Sequence, residues 1–430
     1  MKVTANSEEH SIPQTRATGH WLLILLVLAF IFRAAFGMGL QSFLDQRNRS
    51  FLIEGDANGY WQLTHSLVEN GEFSAHNPPR RVLRMPGFPA LLMLSGGNLL
   101  AARILLAAIG TLACWLVYLV GCELTDRRTA LFATTLAVFS PMFVAFSGLI
   151  LSETTFAAGM LLSLHSGIRF FRSLQNEGAN LKTLAIRASL TGFLIALACY
   201  IRPSWLLVAP ILTFILPFFA KKTDRLKSLG MGCLLLFSTF LTLLPWAVRN
   251  QQVTGHWVFT TLWAGPSLYD GLNPHATGES DMSFFEKDNL LEQMSEYEMN
   301  RHYNQRAWNF ARENPRAVIR LAFVKLLRFW KPWPNAQQFR NPWFIAGCFA
   351  WFLVIYIPAA IGIYHARKSP LLLLATLGPV LYFSAIHSIF VGSIRYRIPA
   401  EYPLVILSAV GWKAIHRSIL KWRNSAAKFA

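Results

Sequence analysis

Apolar segments of membrane-spanning length recur along this chain, and they restrict its fold more than any other feature. A helix that crosses a bilayer needs about 20 predominantly apolar residues, and its backbone must satisfy its own hydrogen bonds there. Ten segments meet that description: 20–40, 101–123, 130–147, 150–171, 184–201, 204–220, 228–248, 342–364, 370–388 and 399–416. Of 430 residues, 53% are hydrophobic and 14% charged, against about a quarter charged in an average soluble domain. The expectation is an all-α polytopic membrane protein with about ten transmembrane helices. No small-residue cleavage site follows the first run, which therefore reads as a retained helix and not as a signal peptide.

The net charge of +18 has an ordinary source in such a chain, because cytoplasmic loops are rich in Lys and Arg and face anionic lipid. With no DNA- or RNA-reading motif present, nucleic acid is excluded as a partner. Cys114, Cys122, Cys199, Cys233 and Cys348 fall in or beside apolar runs without a CxxC pair. They read as small core residues.

Placing the N-terminus in the cytoplasm puts the basic stretches 125–128, 169–187, 221–227, 365–370 and the C-terminal tail inside, as the positive-inside rule requires. The chain then divides into a cytoplasmic N-terminus and first helix (1–40), a first outer loop (41–100), helices two to seven (101–248), an outer-face loop subdomain (249–341), helices eight to ten (342–416) and a basic cytoplasmic tail (417–430). The stretch "RAVIRLAFVKLLRFWKPW" mixes cations with large apolar residues at helical spacing, the pattern of a helix in the headgroup layer. "GLNPHATGES", 271–280, has turn composition. It reads as a connector or as a loop that orders on ligand binding.

In that topology a set of ionisable residues collects at the outer face: Glu54, Asp56, Arg84, Glu153, Arg202, Arg249, Arg395 and Arg397. Ionisable groups at a membrane are costly and usually functional. Carboxylates beside several arginines suit acid–base chemistry on an anion, since the guanidinium fork matches phosphate. Each residue also has a structural reading: Asp56 as a helix N-cap, Glu153 as an arginine's partner, and the arginines as side chains snorkelling to headgroups. If 395–397 is extended, Arg395 and Arg397 point the same way, as a clamp needs; if helical, they diverge by about 200°. The outer histidines 65, 76, 256, 275 and 302 lack the spacing of a metal pair. There is no P-loop and no GxGxxG.

"GDANGYWQLTHSLVENGEFS" with "RMPGFPALLML", "SGLILSETTF", "YIRPSWLLVAP", "LLPWAVRNQQVTGHWVFTTLWAGPSLYDGLNPHATG", "RENPRAVIRLAFVKLLRFW" and "SIRYRIPAEYPLVIL" resemble, in order, segments of the GT-C glycosyltransferases. The resemblance is to bacterial membrane enzymes related to protein O-mannosyltransferases and to the aminoarabinose transferase acting on lipid A. It implies a GT-C fold with two long outer-face loops in a bacterial inner membrane. It also implies inverting sugar transfer from a polyprenyl-phosphate donor to an outer-face acceptor hydroxyl on a protein, lipid or glycan. The family's catalytic base, an acid of the first outer loop, matches Asp56, with Glu54 as the second candidate because Gly55 separates the two. Arg84, Arg202, Arg249, Arg395 and Arg397 are the candidates for the donor phosphate, and Tyr60 and Glu153 for sugar or acceptor contacts. A divalent metal ion stays open as cofactor. A flippase for lipid-linked sugars and a ligase or polymerase using a pyrophosphate-linked donor are the competing readings. Transporters place polar groups near the midplane and carry internal repeats, and neither feature is evident.

Overall fold

A computed structural model describes residues 12–176, 178–334 and 341–427. The first eleven residues and the last three, parts of the expected cytoplasmic ends, and 335–340 of the second long loop lie outside them. Among the described residues the chain is helical without a strand; one isolated bridge pairs Ala75 with Arg80. In chain order the helices are α1 (Ile12–Asp45), α2 (Asp56–Asn70), α3 (Gly87–Leu92), α4 (Leu99–Leu124), α5 (Arg127–Phe139), α6 (Pro141–Gly148), α7 (Glu153–Gln175), α8 (Leu181–Ile201), α9 (Val208–Ile215), α10 (Arg225–Thr254), α11 (Ala264–Gly271), α12 (Ser283–Asp288), α13 (Leu290–Gln293), α14 (Glu296–Glu313), α15 (Pro315–Trp330), α16 (Pro342–Ala366), α17 (Pro370–Thr376), α18 (Gly378–Ile389) and α19 (Ile394–Ala426).

All ten expected segments are helical, but they are not ten equivalent spans. Five helices are long and apolar enough to cross a membrane: α1 from Gly19, α4, α8, α10 and α16. The number rises to seven if the bent pairs α5–α6 (55°) and α17–α18 (44°) each count once. The other three segments are α7, α19 and the short run Pro203–Phe219. Residues 397–409 of α19 are buried throughout, and so is the first turn of α7. Neighbouring helices surround both, so lipid does not dictate their composition and they can carry charge.

The breaks have local causes. Pro141 has no N–H to offer the Ala137 carbonyl one turn back, and Ser140 caps the new helix α6 instead, accepting from the Phe143 N–H. The buried Arg33 Nη2 takes up the freed Ala137 oxygen at 3.2 Å. In α16 Pro358 likewise frees the Val354 carbonyl, which receives Trp412 Nε1 of α19 at 3.0 Å. Helices α16 and α19 form the most extensive helix pair. They meet where Gly411 faces the Pro358 carbonyl and Gly362 faces the Leu407 carbonyl so closely that a Cβ at either position would clash with backbone. Small residues at such crossings let helix backbones approach without a lipid-driven hydrophobic force.

Contacts sort the helix ends into two groups. Glu123–Arg172 and Asp126–Lys413 pairs lie at the end reached by residues 124–127, 175 and 413. At the opposite end the segments after α1, α6, α8, α10 and α18 converge. There α11–α15 form a separate small core of Leu268, Tyr269, Leu290, Met299, Tyr303 and Ala307, completed by Leu83 of the first loop. Glu296 at the start of α14 joins the two loops by accepting the Arg81 and Val82 backbone N–H groups, both at 2.9 Å. Helix α15 buries Leu321, Lys325 and Phe329 and leaves Ile319, Phe323 and Leu327 exposed along one stripe.

Candidate active site

Gly55 determines where the two acids of the first loop go. Its φ of +58° lies in the left-handed region that only glycine enters freely. The turn sends Glu54 to the surface, where it pairs with Arg49 at 3.0 Å. Asp56 enters the first turn of α2, where the helix dipole favours a carboxylate. Gly55 is the N-cap of that helix and no side chain caps it, so Asp56 is free for other partners. Its Oδ2 accepts from Arg395 Nη2 at 2.6 Å and its Oδ1 pairs with Arg84.

Arg395 continues the cluster inward. Ser393 caps α19, accepting from the Arg395 N–H. The helical start sends Arg395 and Arg397 apart, as the helical alternative requires. Arg395 Nε pairs with Glu153 Oε1 at the start of α7, and the same oxygen accepts Arg202 Nη1 at 2.8 Å. Glu153 Oε2 is buried without a partner. Tyr60, one turn after Asp56, meets the Ser152 hydroxyl at 3.2 Å, and its ring lies under the Arg84 guanidinium, which also faces Trp263. Arg202 and Arg395 flank the Tyr396 ring, which stacks on His387 at 4.2 Å. Exposure falls inward, with side chains 26% exposed at Asp56, 15% at Arg395 and 0% at Glu153. Asp56 is therefore the carboxylate an incoming molecule meets.

Asp56, Glu153, Arg84, Arg202, Arg395 and Tyr60 thus come together, as the sequence pattern suggests. Three of the expected residues lie elsewhere. Glu54 is at the surface. Arg249 donates to the Arg81 carbonyl at 2.7 Å, lies over Trp246 and holds the first loop's backbone. Arg397 is buried on the other side of α19, bound to Glu401 Oε1 at 2.6 Å and to the Phe329 and Lys331 carbonyls. Ser152, Trp263, His387 and Tyr396 join the cluster without having been singled out. Ser152 and Tyr396 adjoin singled-out residues in sequence, whereas Trp263 and His387 arrive from distant segments and give no local signal.

Burial works to raise the Asp56 carboxyl, but the Arg84 and Arg395 charges outweigh it and hold the group well below the usual carboxylate range. Three guanidiniums share two carboxylates, so the cluster carries one positive charge in excess. A divalent metal does not fit these residues. Both Asp56 oxygens and Glu153 Oε1 already face guanidiniums, and no metal-holding group of three His, Cys, Asp or Glu occurs among the described residues. An anion fits: preorganised donors in a water-poor, positive site are suited to one. An apolar cavity of about 140 Å³ has Trp205 and Tyr382 in its wall, and no cluster residue lines it. It runs between α7, α9 and α17 past Ser163, Leu212, Leu371 and Leu374.

The all-helical polytopic architecture is a fold already seen in a solved membrane oligosaccharyltransferase. Over 95% of its length the chain superposes on the oligosaccharyltransferase AglB from Archaeoglobus fulgidus, solved with an inhibitory peptide and a dolichol-phosphate, with a TM-score of 0.55 and 15% identity. It superposes on the apo form of that enzyme with a TM-score of 0.53, 16% identity and 96% coverage. The chain spans about half the length of these structures, 52% in both cases. ArnT from Cupriavidus metallidurans bound to undecaprenyl phosphate is matched more loosely, at a TM-score of 0.41 and 14% identity over 93% of this chain and 78% of that one. No curated protein matches in sequence. More particularly, residues 92–260 match the family model of dolichyl-phosphate-mannose-protein mannosyltransferases, which supports a transferase enzyme. That stretch contains Glu153 and Arg202 and stops short of Asp56, Arg84 and Arg395 at either side.

Proposed function

We propose that this chain transfers a sugar, with inversion at C1, from a polyprenyl-phosphate donor to an acceptor hydroxyl at the outer face of the membrane. One observation carries the reading: a partly buried cluster with one unmatched positive charge sits at one end of a bundle of apolar helices. That pairing suits an amphiphile with a phosphate head and a hydrocarbon tail. The match of 92–260 to the mannosyltransferase family and the AglB fold support the same chemistry.

The acceptor oxygen attacks the sugar C1 from the face opposite the phosphate. The C1–O bond to phosphate breaks and its electron pair leaves with the phosphate. The hydroxyl proton passes to Asp56, the outermost carboxylate, and a positioned general base of this kind contributes roughly 10²–10⁴-fold. Arg84, Arg202 and Arg395 hold the charge that gathers on the leaving group. Glu153, wholly buried beneath the outer carboxylate, keeps Arg202 and Arg395 in place. Tyr60 aligns Arg84 and lines the sugar side. The first loop (41–100) and the 249–341 subdomain form the outer face, and the basic ends of the chain lie in the cytoplasm of a bacterial inner membrane.

Purified protein or membrane vesicles assayed with a panel of polyprenyl-phosphate sugars test this. Asp56→Asn is expected to bind polyprenyl phosphate and lose turnover by about 10²–10⁴-fold, while Glu54→Gln stays near wild type. Full turnover in Asp56→Asn would reject Asp56 as the base, and loss confined to Glu54→Gln would move that role to Glu54.

A further inference from the structure

Both carboxylates of the cluster open helices, each directly after a short link, and one buried side chain grips both links. Arg103, near the start of α4, is 1% exposed. Its Nη2 donates to the Ser50 carbonyl at 3.1 Å, on the link that leads to Asp56. Its Nη1 donates to the Gly148 carbonyl, at the end of α6, where the chain turns toward Ser152 and Glu153. Its Nε donates to Gln41 Oε1 at 2.8 Å near the end of α1, and Gln41 passes the contact to Asp45 at 2.7 Å. A small neighbour leaves room for it: a Cβ at Gly37 would come within 3.3 Å of Arg103 Cβ.

Arg103 makes no ion pair among the described residues. Burying a guanidinium without a carboxylate in contact is unfavourable, and charge pairing does not explain it. The fork geometry does, because only arginine presents three nitrogens in fixed directions to three separate acceptors. Both links are turns with local backbone bonds, Arg47 and Arg49 N–H to the Leu44 carbonyl in the first and Leu151 N–H to the Leu149 carbonyl in the second. Across the gap, Tyr60 and Ser152 touch, and Arg395 bridges Asp56 to Glu153.

We propose that Arg103 is the positioning residue that sets the Asp56-bearing and Glu153-bearing links at the separation which Arg395 spans. This rests on the transferase reading above for its effect on turnover, though not for its effect on the two links. The geometry of a reacting cluster is demanding, and a displacement of about 1 Å can cost ~10² in rate. Arg103→Met in the full-length protein is therefore expected to lose about 10²-fold in kcat per folded molecule, with KM for the donor changed much less.

The test joins two measurements. Hydrogen–deuterium exchange in detergent or nanodiscs should quicken at residues 50–56 and 148–153 in Arg103→Met, with α4, α8 and α16 unchanged. Transfer kinetics should show the kcat loss, and Gln41→Leu, which removes only the third contact, should stay close to wild type in both. Unaltered exchange in both links, or wild-type kcat per folded molecule, overturns the proposal. If Arg103→Met does not fold, Arg103→Lys serves: one ammonium replaces the fork, and at least one of the two links must loosen, failing which the proposal falls. If wild type transfers no sugar from any donor, the exchange result still decides the role of Arg103, and only the transferase reading fails.

Discussion

Glu153→Gln separates an electrostatic scaffold from a catalytic acid. Glu153 is wholly buried, and its Oε1 serves Arg202 at 2.8 Å and Arg395 together. Glutamine keeps the shape and one carbonyl oxygen for those arginines, while its amide occupies the side where Oε2 has no partner. The charge alone is removed, and the excess of the cluster rises from one positive charge to two. Two unit charges about 4 Å apart attract by about 4 kcal/mol at an effective dielectric of 20. Losing one partner of a buried pair costs about 3–5 kcal/mol once relieved desolvation is counted. The empty protein is therefore expected to unfold at a distinctly lower temperature.

The same substitution should improve anion binding. A phosphate held by the arginines about 6 Å from the lost carboxylate gains about 3 kcal/mol at that dielectric, close to a hundredfold in affinity. Thermal unfolding with and without undecaprenyl phosphate reads both effects, because a ligand stabilises the folded state in proportion to the logarithm of its concentration over Kd. The variant should start lower and gain more from the ligand. A variant as stable as wild type, or one that binds the phosphate more weakly, would refute the account of Glu153 as the group that tempers an anion site.

Other perturbations separate the remaining residues. Asp56 has a lowered folded pKa, so the stability its pairs supply is complete above its ordinary value of 3.8 and drains away only as pH falls through the lower one. The difference in unfolding temperature between wild type and Asp56→Asn should hence stay constant from neutrality to about pH 5. Gly55→Ala forces a Cβ into the left-handed region at a cost of about 1–2 kcal/mol and should lower transfer more than stability, as parallel melting and activity measurements would show. Arg395→Lys cannot span two carboxylates and should abolish most transfer, whereas Arg397→Lys should act chiefly on melting temperature. Lys325, buried in α15 with its Nζ donating to the Ile389 carbonyl, is pushed down by burial to about 8. The unfolded chain holds that proton longer, so wild type should gain stability over Lys325→Met as pH rises from about 8 to 10.

How much of this was legible depended on which face of each helix met lipid. Helices α1, α4, α8, α10 and α16 leave apolar side chains exposed and state their length in plain hydropathy. Helices α7 and α19 were read as spans of the same kind, yet they are interior, and their burial by protein permits Glu153, Arg397 and Glu401. Segments 130–147 and 370–388 were each read as one span although they bend. Pro141 and the Gly378-Pro379 pair were visible markers of those bends, but where a freed carbonyl such as that of Ala137 goes depends on Arg33, 104 residues earlier. The candidate cluster was legible as a list, because expensive residues at one depth have few other uses. Its membership was not. Whether Arg395 and Arg397 share a face turned on where α19 starts, and that is set by the Ser393 cap. Which of two acids turns inward was set by one glycine's φ.

The cluster also poses a chemical question, since a carboxylate held below its ordinary pKa is a poor base. The two guanidiniums that depress Asp56 are, on the proposed reading, the ones a donor phosphate requires. Hydrogen bonds to the charged form of an acid lower its pKa, and withdrawing them raises it. A phosphate that draws Arg84 and Arg395 toward itself therefore returns basicity to Asp56 as it docks, and the two roles are coupled through shared donors. With the donor absent, Asp56 is ionised but occupied. With the donor present, the negative charge of the phosphate and the partial release of the arginines both favour proton uptake, at the outermost position of the cluster where an acceptor hydroxyl arrives. The same exchange explains why Glu153 is kept charged and inaccessible beneath. It retains Arg202 and the inner side of Arg395 while the outer side turns to the phosphate, so the cations are redistributed without being set adrift.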